Sequence, residues 1–378
     1  MVAIKDSCYF VSLAGQFRNM SMGMMILVAF MSSALERPAF ADDSTEAAKT
    51  LKAMTAPNSS VTSLAYSSDG SLLAGGSFDG GVRVWDASTG KLLRNLTSHK
   101  SAVRGLAFAA EGTMLSSGSD DKTVILWDAH TGDILHKLSG LGGQIHSLAL
   151  TTNGETVWFF SDKISAYNTN TGKKIAKIDA DIDPRGFPRI DISPDEKTLV
   201  ITSLEKEKRI AAHLYDIRTR RRIRSISEEG GGFLAVKFLP DNKHLAGSFF
   251  SPEDGKSVRV YDFEIGECQQ VLRPTSDEFF AIDVSPDGKM LASGGNGPSI
   301  EEDTRLGRQT RRLSKFTIWD LDSGKAQLTN TGMLGSISSL SFSPDNKRIA
   351  YCDDATVTVI DIESGDPVWS GRYGFFPN

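Results

Sequence analysis

Residues 99–128 read HKSAVRGLAFAAEGTMLSSGSDDKTVILWD. Apolar residues alternate in VRGLAF (103–108) and again in KTVILW (122–127), which is the period of a strand. EGTMLSSGS (111–119) places a turn and another strand between them. His99, Ser119, Asp121 and Trp127 stand out against this background. In a dry interior an indole N–H, an imidazole and a carboxylate must satisfy one another. The set is expected to be structural, since a catalytic triad needs an exposed nucleophile.

The rest of the chain copies this stretch. Its turn recurs at Asp69, Glu111, Asn153, Asp195, Asp241, Asp287 and Asp345, mostly as Asp-Gly, Asn-Gly or a close substitute. Such pairs tolerate the positive φ of tight hairpins. Its Trp-Asp pair recurs at Trp85, Trp127, Tyr167, Tyr215, Tyr261, Trp319 and Ile360, with Asp or Asn following. Both anchors occur seven times. The pattern resembles the WD-repeat (WD40) propeller family, whose members join a His, a Ser or Thr, an Asp and a Trp across one blade. The resemblance implies an all-β fold, a seven-bladed β-propeller of four-stranded antiparallel blades. It assigns His99, Ser119, Asp121 and Trp127 as the structural tetrad of the second blade. The first blade keeps Ser77, Asp79 and Trp85 but has Pro57 where the His should stand. The blades are expected at 55–96, 97–138, 139–178, 179–226, 227–272, 273–330 and 331–371.

Residues 1–41 read as a cleaved signal peptide, leaving 42–378 as the propeller. Lys5 and Arg18 make a basic leader, MMILVAFMSSAL (24–35) is apolar, and Ala39-Phe40-Ala41 precedes Asp42-Asp43. Twelve apolar residues are short for a bilayer span, so no membrane span is expected after cleavage. A periplasmic or secreted location follows. Cys268 and Cys352 fall in distant blades, so the core rather than a disulfide is expected to hold the fold. The net charge of −5 argues against a general nucleic-acid binder.

KTLKAM (49–54) aligns with KLLRNL (91–96), an outer strand, at a shift of 42 residues. In the family such a strand commonly completes the last blade, and it is expected to close the ring here. PVWS (367–370) competes for the same place. The six histidines show no metal spacing. Asp179, Asp181 and Asp183 begin like a calcium loop, but Pro184 replaces its Gly and Ile190 its Glu. No metal or cofactor is therefore expected. Four residues before each turn anchor the innermost strands carry Ala65, Ala107, Ala149, Asp191, Lys237, Asp283 and Ser341. Asp191, Lys237 and Asp283 form a minus–plus–minus ladder, expected as a local charge network along the channel.

From each Trp-Asp position to the next turn the spacings are 26, 26, 28, 26, 26 and 26 residues. From turn to Trp-Asp position they are 16, 16, 14, 20, 20, 32 and 15. Nearly all length variation thus lies in the interval that contains the connection between second and third strands. The enlarged connections of blades four to six carry Phe249 and Phe250, and then Arg305, Arg308, Arg311 and Arg312 within Asn296–Ser314. The one longer inter-blade segment holds Arg185 and Phe187. These eight residues are the expected partner-binding surface. Arginines favour an acidic or carboxylate-bearing protein or peptide, with the phenylalanines as apolar anchors. The expected function is a non-enzymatic interaction scaffold built on a monomeric propeller. A hydrolytic or cofactor-binding propeller using the channel mouth is the alternative.

Overall fold

The computed structural model describes residues 60–372 apart from 110–111, 206–208, 229–230, 252–254, 274–277, 305–306 and 354–355. The leader, the 49–54 strand, Pro57 and Arg305 lie outside these residues. All described strands fall in the unit Asn58–Asn378. They form seven sets of four antiparallel strands, each in chain order. Blades four and five are joined by one parallel bridge, Ile210 to Gly232. The innermost strands are Val61–Tyr66, Val103–Phe108, Leu148–Leu150, Ile190–Ile192, Gly232–Phe238, Glu278–Val284 and Ile337–Phe342. Each packs against the next, and the last packs against the first, closing the ring. Among the described residues no helix is long and apolar enough to cross a membrane.

Burial follows strand position. The third strand of blade two, Val124–Asp128, is buried at every residue but its last, because neighbouring blades cover both of its faces. The outer strand Ile134–Leu138 is mostly exposed. Seven apolar clusters fill the seven junctions between blades. The one at the seam holds Val61, Leu64, Leu73 and Trp85 of blade one with Ala350, Cys352, Val357 and Val359 of blade seven.

The expected closure by Lys49–Met54 is corrected here. The fourth strand of blade seven is Pro367–Arg372, paired with Thr356–Asp361 from Thr356↔Arg372 to Ile360↔Pro367. Trp369 fixes that choice. Its indole N–H donates to Ala87 O of blade one (2.9 Å), and its ring lies 6.5 Å from that of Trp85. A side chain on the tail thus spans the seam, and no shared strand is needed.

The turn anchors work as their chemistry predicts. Ser67 Oγ donates to Asp69 Oδ1 (2.6 Å), and Ser71 N donates to the same oxygen (3.0 Å). The next residue, Gly70, has φ +72°. The same left-handed position is Glu196 (φ +57°) in blade four, Asn242 (+56°) in blade five and Asn346 (+61°) in blade seven. Those side chains accept backbone N–H groups from the preceding blade's turn. Glu196 takes Thr152 (2.6 Å), Asn242 takes Asp195 (2.7 Å) and Asn346 takes Asp287 (3.2 Å). A non-glycine residue costs about 1–2 kcal/mol in this backbone region, and each bond to the neighbour offsets part of that.

Candidate functional site

The tetrad exists, but its serine is Ser117 and not Ser119. Trp127 Nε1 donates to Ser117 Oγ (2.8 Å), and His99 Nε2 lies 2.8 Å from the same oxygen. His99 Nδ1 meets Asp121 Oδ2 at 3.1 Å. Burial holds the His99 imidazole below its ordinary range against the pull of Asp121, so the ring is neutral. The consistent relay runs from Trp127 N–H to Ser117, from Ser117 O–H to Nε2, and from Nδ1–H to Asp121. Register explains the correction. Trp127 pairs with Leu115, and Ser117 is the next residue on that face. Ser119, two further on, donates to Ser101 O (2.9 Å) and accepts from Asp121 N (3.0 Å). Blade six repeats the contact, with Trp319 Nε1 donating to Ser293 Oγ (2.9 Å).

Asp191, Lys237 and Asp283 do come together. Lys237 Nζ is 3.6 Å from Asp191 Oδ1, and the Lys237 side chain is 43% exposed. The Asp191 charge holds the ammonium above its usual range, with Asp283 adding to it against burial. Burial pushes the Asp283 carboxyl up, against the opposing pull of Lys237 and the Phe342 N–H. The carboxylates have a second task. Asp191 Oδ2 accepts Phe238 N of blade five (2.8 Å), and Asp283 Oδ2 accepts Phe342 N of blade seven (2.8 Å). Ser341 Oγ accepts Tyr66 N of blade one (3.3 Å) in the same way. Each satisfies a backbone donor on the open edge of the next innermost strand. Replacing Asp283 by Ala should cost about 1–3 kcal/mol, because that N–H is left without its acceptor. Asp283→Asn keeps an acceptor and removes a disfavoured charge, so chemical denaturation should show most of the loss restored. Lys237→Met should cost less than Asp283→Ala, because a half-exposed ion pair contributes about 0–1 kcal/mol.

The enlarged connections are continuations of strands. In blade five the pairing runs out to Ser251↔Gly255. In blade six it continues past Asn296↔Ser314, from Ser299↔Arg312 to Thr304↔Gly307. The insertion is therefore a two-stranded ribbon, with Arg308, Arg311 and Arg312 on its returning strand opposite Asp303, Ile300 and Ser299. Phe249 is not an available anchor. It continues the inward alternation Leu245, Gly247, Phe249 and is 2% exposed. Its ring meets Phe233 edge-on (5.4 Å between centroids) beneath the Arg259 guanidinium, 4.1 Å from its own centroid. Phe250 points the other way, half-buried, with Lys256 Nζ 5.6 Å from its ring centre. Arg185 is exposed and held by Asp183, whose carboxylate also caps the 3-10 turn Pro184–Gly186. Phe187, at φ +50°, turns toward blade three and packs edge-on against His146 (5.1 Å).

That contact reveals a cluster the sequence reading missed. Arg104 Nε and Nη2 donate to Asp120 Oδ2 at 3.0 and 2.9 Å. His146 Nδ1 is 3.7 Å from Asp120 Oδ1. Arg189 Nη1 donates to His146 O (3.2 Å). Burial, reinforced by Arg189 and Arg104, pushes the His146 imidazole down to about 4 despite Asp120. Arg104 and His146 are related by the repeat shift of 42 residues, which was the available signal.

The WD domain, G-beta repeat family model matches residues 48–86, 90–128, 266–299 and 325–361. The chain is a β-propeller, and four of its stretches match the WD40 repeat. No curated protein sequence matches it. Among solved structures it is similar to one titled Kuenenia stuttgartiensis Hydrazine Synthase, with 19% identity and a TM-score of 0.67 over 80% of this chain and 96% of that chain. At that identity the likeness is one of fold. The first WD40 match begins at residue 48, so 49–54 keeps its likeness to an outer strand although the outer place in the last blade is filled.

One trio in this propeller imitates a hydrolase. His213 Nδ1 is 2.8 Å from the Oγ of exposed Ser225, and its Nε2 is 3.6 Å from Glu205 Oε1. Register accounts for it. His213 and Ser225 are directly opposed, at the place held by Thr317 and Thr329 in blade six and by Thr358 and Ser370 in blade seven. Those hydroxyl pairs bond across the strands in the same manner (3.4 and 2.8 Å).

Proposed function

We propose that this propeller is a non-enzymatic scaffold of the cell envelope, exported by the 1–41 leader and holding a protein or peptide partner. WD40 propellers in general mediate protein interactions, and rigid strands suit the presentation of variable connections. The observation that carries the reading is the confinement of extra length to one connection type in three adjacent blades, where it prolongs the strand pairing. Paired extensions give an arginine-bearing ribbon a defined base, which a slack loop would not. The surface is Arg185 and Phe187 together with the ribbon arginines, with Phe250 at its margin and Phe249 removed from it. An acidic partner suits these cations.

The test is capture in the native envelope by crosslinking and mass spectrometry. Shortening 299–312 to a tight turn should abolish capture, and mutating Arg308, Arg311 and Arg312 to Ala should weaken it at least tenfold. Full-strength capture by both folded variants would overturn the assigned surface. N-terminal sequencing of the exported protein should begin at Asp42, and an intact leader would defeat the export reading.

A further inference from the structure

The channel mouth at blades two to four carries an unbalanced set of charges. Arg104 is the extra residue of a β-bulge between Val103 and Gly105. A bulge takes one residue out of the alternation and re-aims its side chain. The bulge residues of blades seven and one, Ser338 and Thr62, use that freedom to donate to backbone oxygens of the next blade, Val61 O and Val103 O. Arg104 instead places a guanidinium at the rim, 4.4 Å from the ring centre of Phe78. It binds only Oδ2 of Asp120, and Asp120 Oδ1 is buried with no hydrogen bond among the described residues. Arg189 reaches the same cluster through His146 O, and its charge and that of Arg104 repel each other. The one carboxylate pairs with Arg104, beside an imidazole that burial keeps neutral, so the Arg189 charge has no carboxylate paired with it among the described residues.

We propose that this cluster is a carboxylate-binding site, with Arg189 as the principal ligand and Arg104 as the second cation. The proposal rests on the scaffold reading and names the chemistry of its partner, but it does not involve the blade-six ribbon. A single surplus charge matches a monoanion. A phosphate dianion would face Asp120 as well. The Arg189 guanidinium is a planar fork of five N–H donors and makes one hydrogen bond among the described residues, so a carboxylate can be taken up without breaking an ion pair. Phe78 and Phe187 flank the cluster on either side, so an apolar or aromatic residue beside the carboxylate gains contact.

The full chain is titrated with acetyl-Phe-Glu-amide, acetyl-Phe-Gln-amide and acetyl-phenylalanine, with the arginine Nε–H resonances as the readout. The Glu amide, the free acid or both should shift Arg189 and Arg104 saturably, and the Gln amide should not. Response to the Glu amide alone identifies a side-chain carboxylate, and response to the free acid alone identifies a chain terminus. Arg189→Gln should weaken the responding ligand at least tenfold. The variant lacking the ribbon should bind it unchanged, which separates failure of this site from failure of the partner surface. Equal response to the Glu and Gln amides with none to the free acid, or no response to either carboxylate, overturns the proposal. Folded Arg189→Gln binding like the wild type does so too, and the wild-type comparison stands even if that variant fails to fold.

Discussion

Truncation after Asp366 is expected to destabilise the propeller by at least about 3–5 kcal/mol, the range for removing a large packed aromatic side chain. The cut removes Trp369, which caps the apolar seam and bonds Ala87 O. It also strips the outer edge of Thr356–Asp361, exposing backbone groups that Pro367–Arg372 had paired. Gly90 shows how closely the indole fits, since a Cβ placed there would come within 2.6 Å of Trp369 Cδ2. The measurement is thermal and denaturant unfolding, with Trp369→Ala as the milder variant. Deleting 42–54 is the matched control. It should cost less, because the fourth place in the last blade is already filled. The opposite ranking would return closure to the N-terminal strand.

Ser117→Ala should cost about 2–4 kcal/mol, more than any other single hydroxyl deletion in blade two. Its oxygen is the shared partner of Trp127 Nε1 and His99 Nε2. Losing it strands both groups in a dry interior, at about 1–3 kcal/mol for each unsatisfied group. Ser119→Ala removes the bond to Ser101 O and the one from Asp121 N, neither of them to a buried ring, and should cost about 1–2 kcal/mol. Equilibrium denaturation of the two variants side by side checks the ranking, and equal losses would put the tetrad back on Ser119. Substituting Thr at 117 should restore much of the stability if its methyl group is accommodated, because the hydroxyl is what the relay requires.

The architecture was legible because two kinds of chemistry repeat together. Asp-Gly turns and buried aromatic anchors at fixed spacing can only be copies of one unit, and the seven blades follow. Finer assignments needed register. Ser117 and Ser119 share a face, and only the Leu115–Trp127 pairing tells which one meets the indole. Phe249 was read as part of a loop because extra length resembles a loop. The alternation from Leu245 through Gly247 in fact continues, and it carries the ring inward. The channel-mouth cluster was hidden for another reason. Alternation puts Arg104 on an ordinary strand face, whereas the bulge that re-aims it has no sequence mark. Closure was ambiguous in the sequence because 49–54 and 367–370 both read as outer strands. One tryptophan bond across the seam decides it.

The cross-blade bonds give the ring a direction. In the channel the acceptor side chain belongs to the earlier blade, as with Asp191, Asp283 and Ser341. At the turns it belongs to the later blade, as with Glu196, Asn242 and Asn346. Junctions four–five and six–seven carry both kinds, so each of those pairs is keyed in both senses. Duplicated repeats begin as interchangeable modules, and these blades have ceased to be so. Moving blade five to another slot would part Lys237 from Asp191 and Asp283 and leave the two carboxylates without their shared cation. The order of the blades is therefore written into the side chains as well as into the chain that links them.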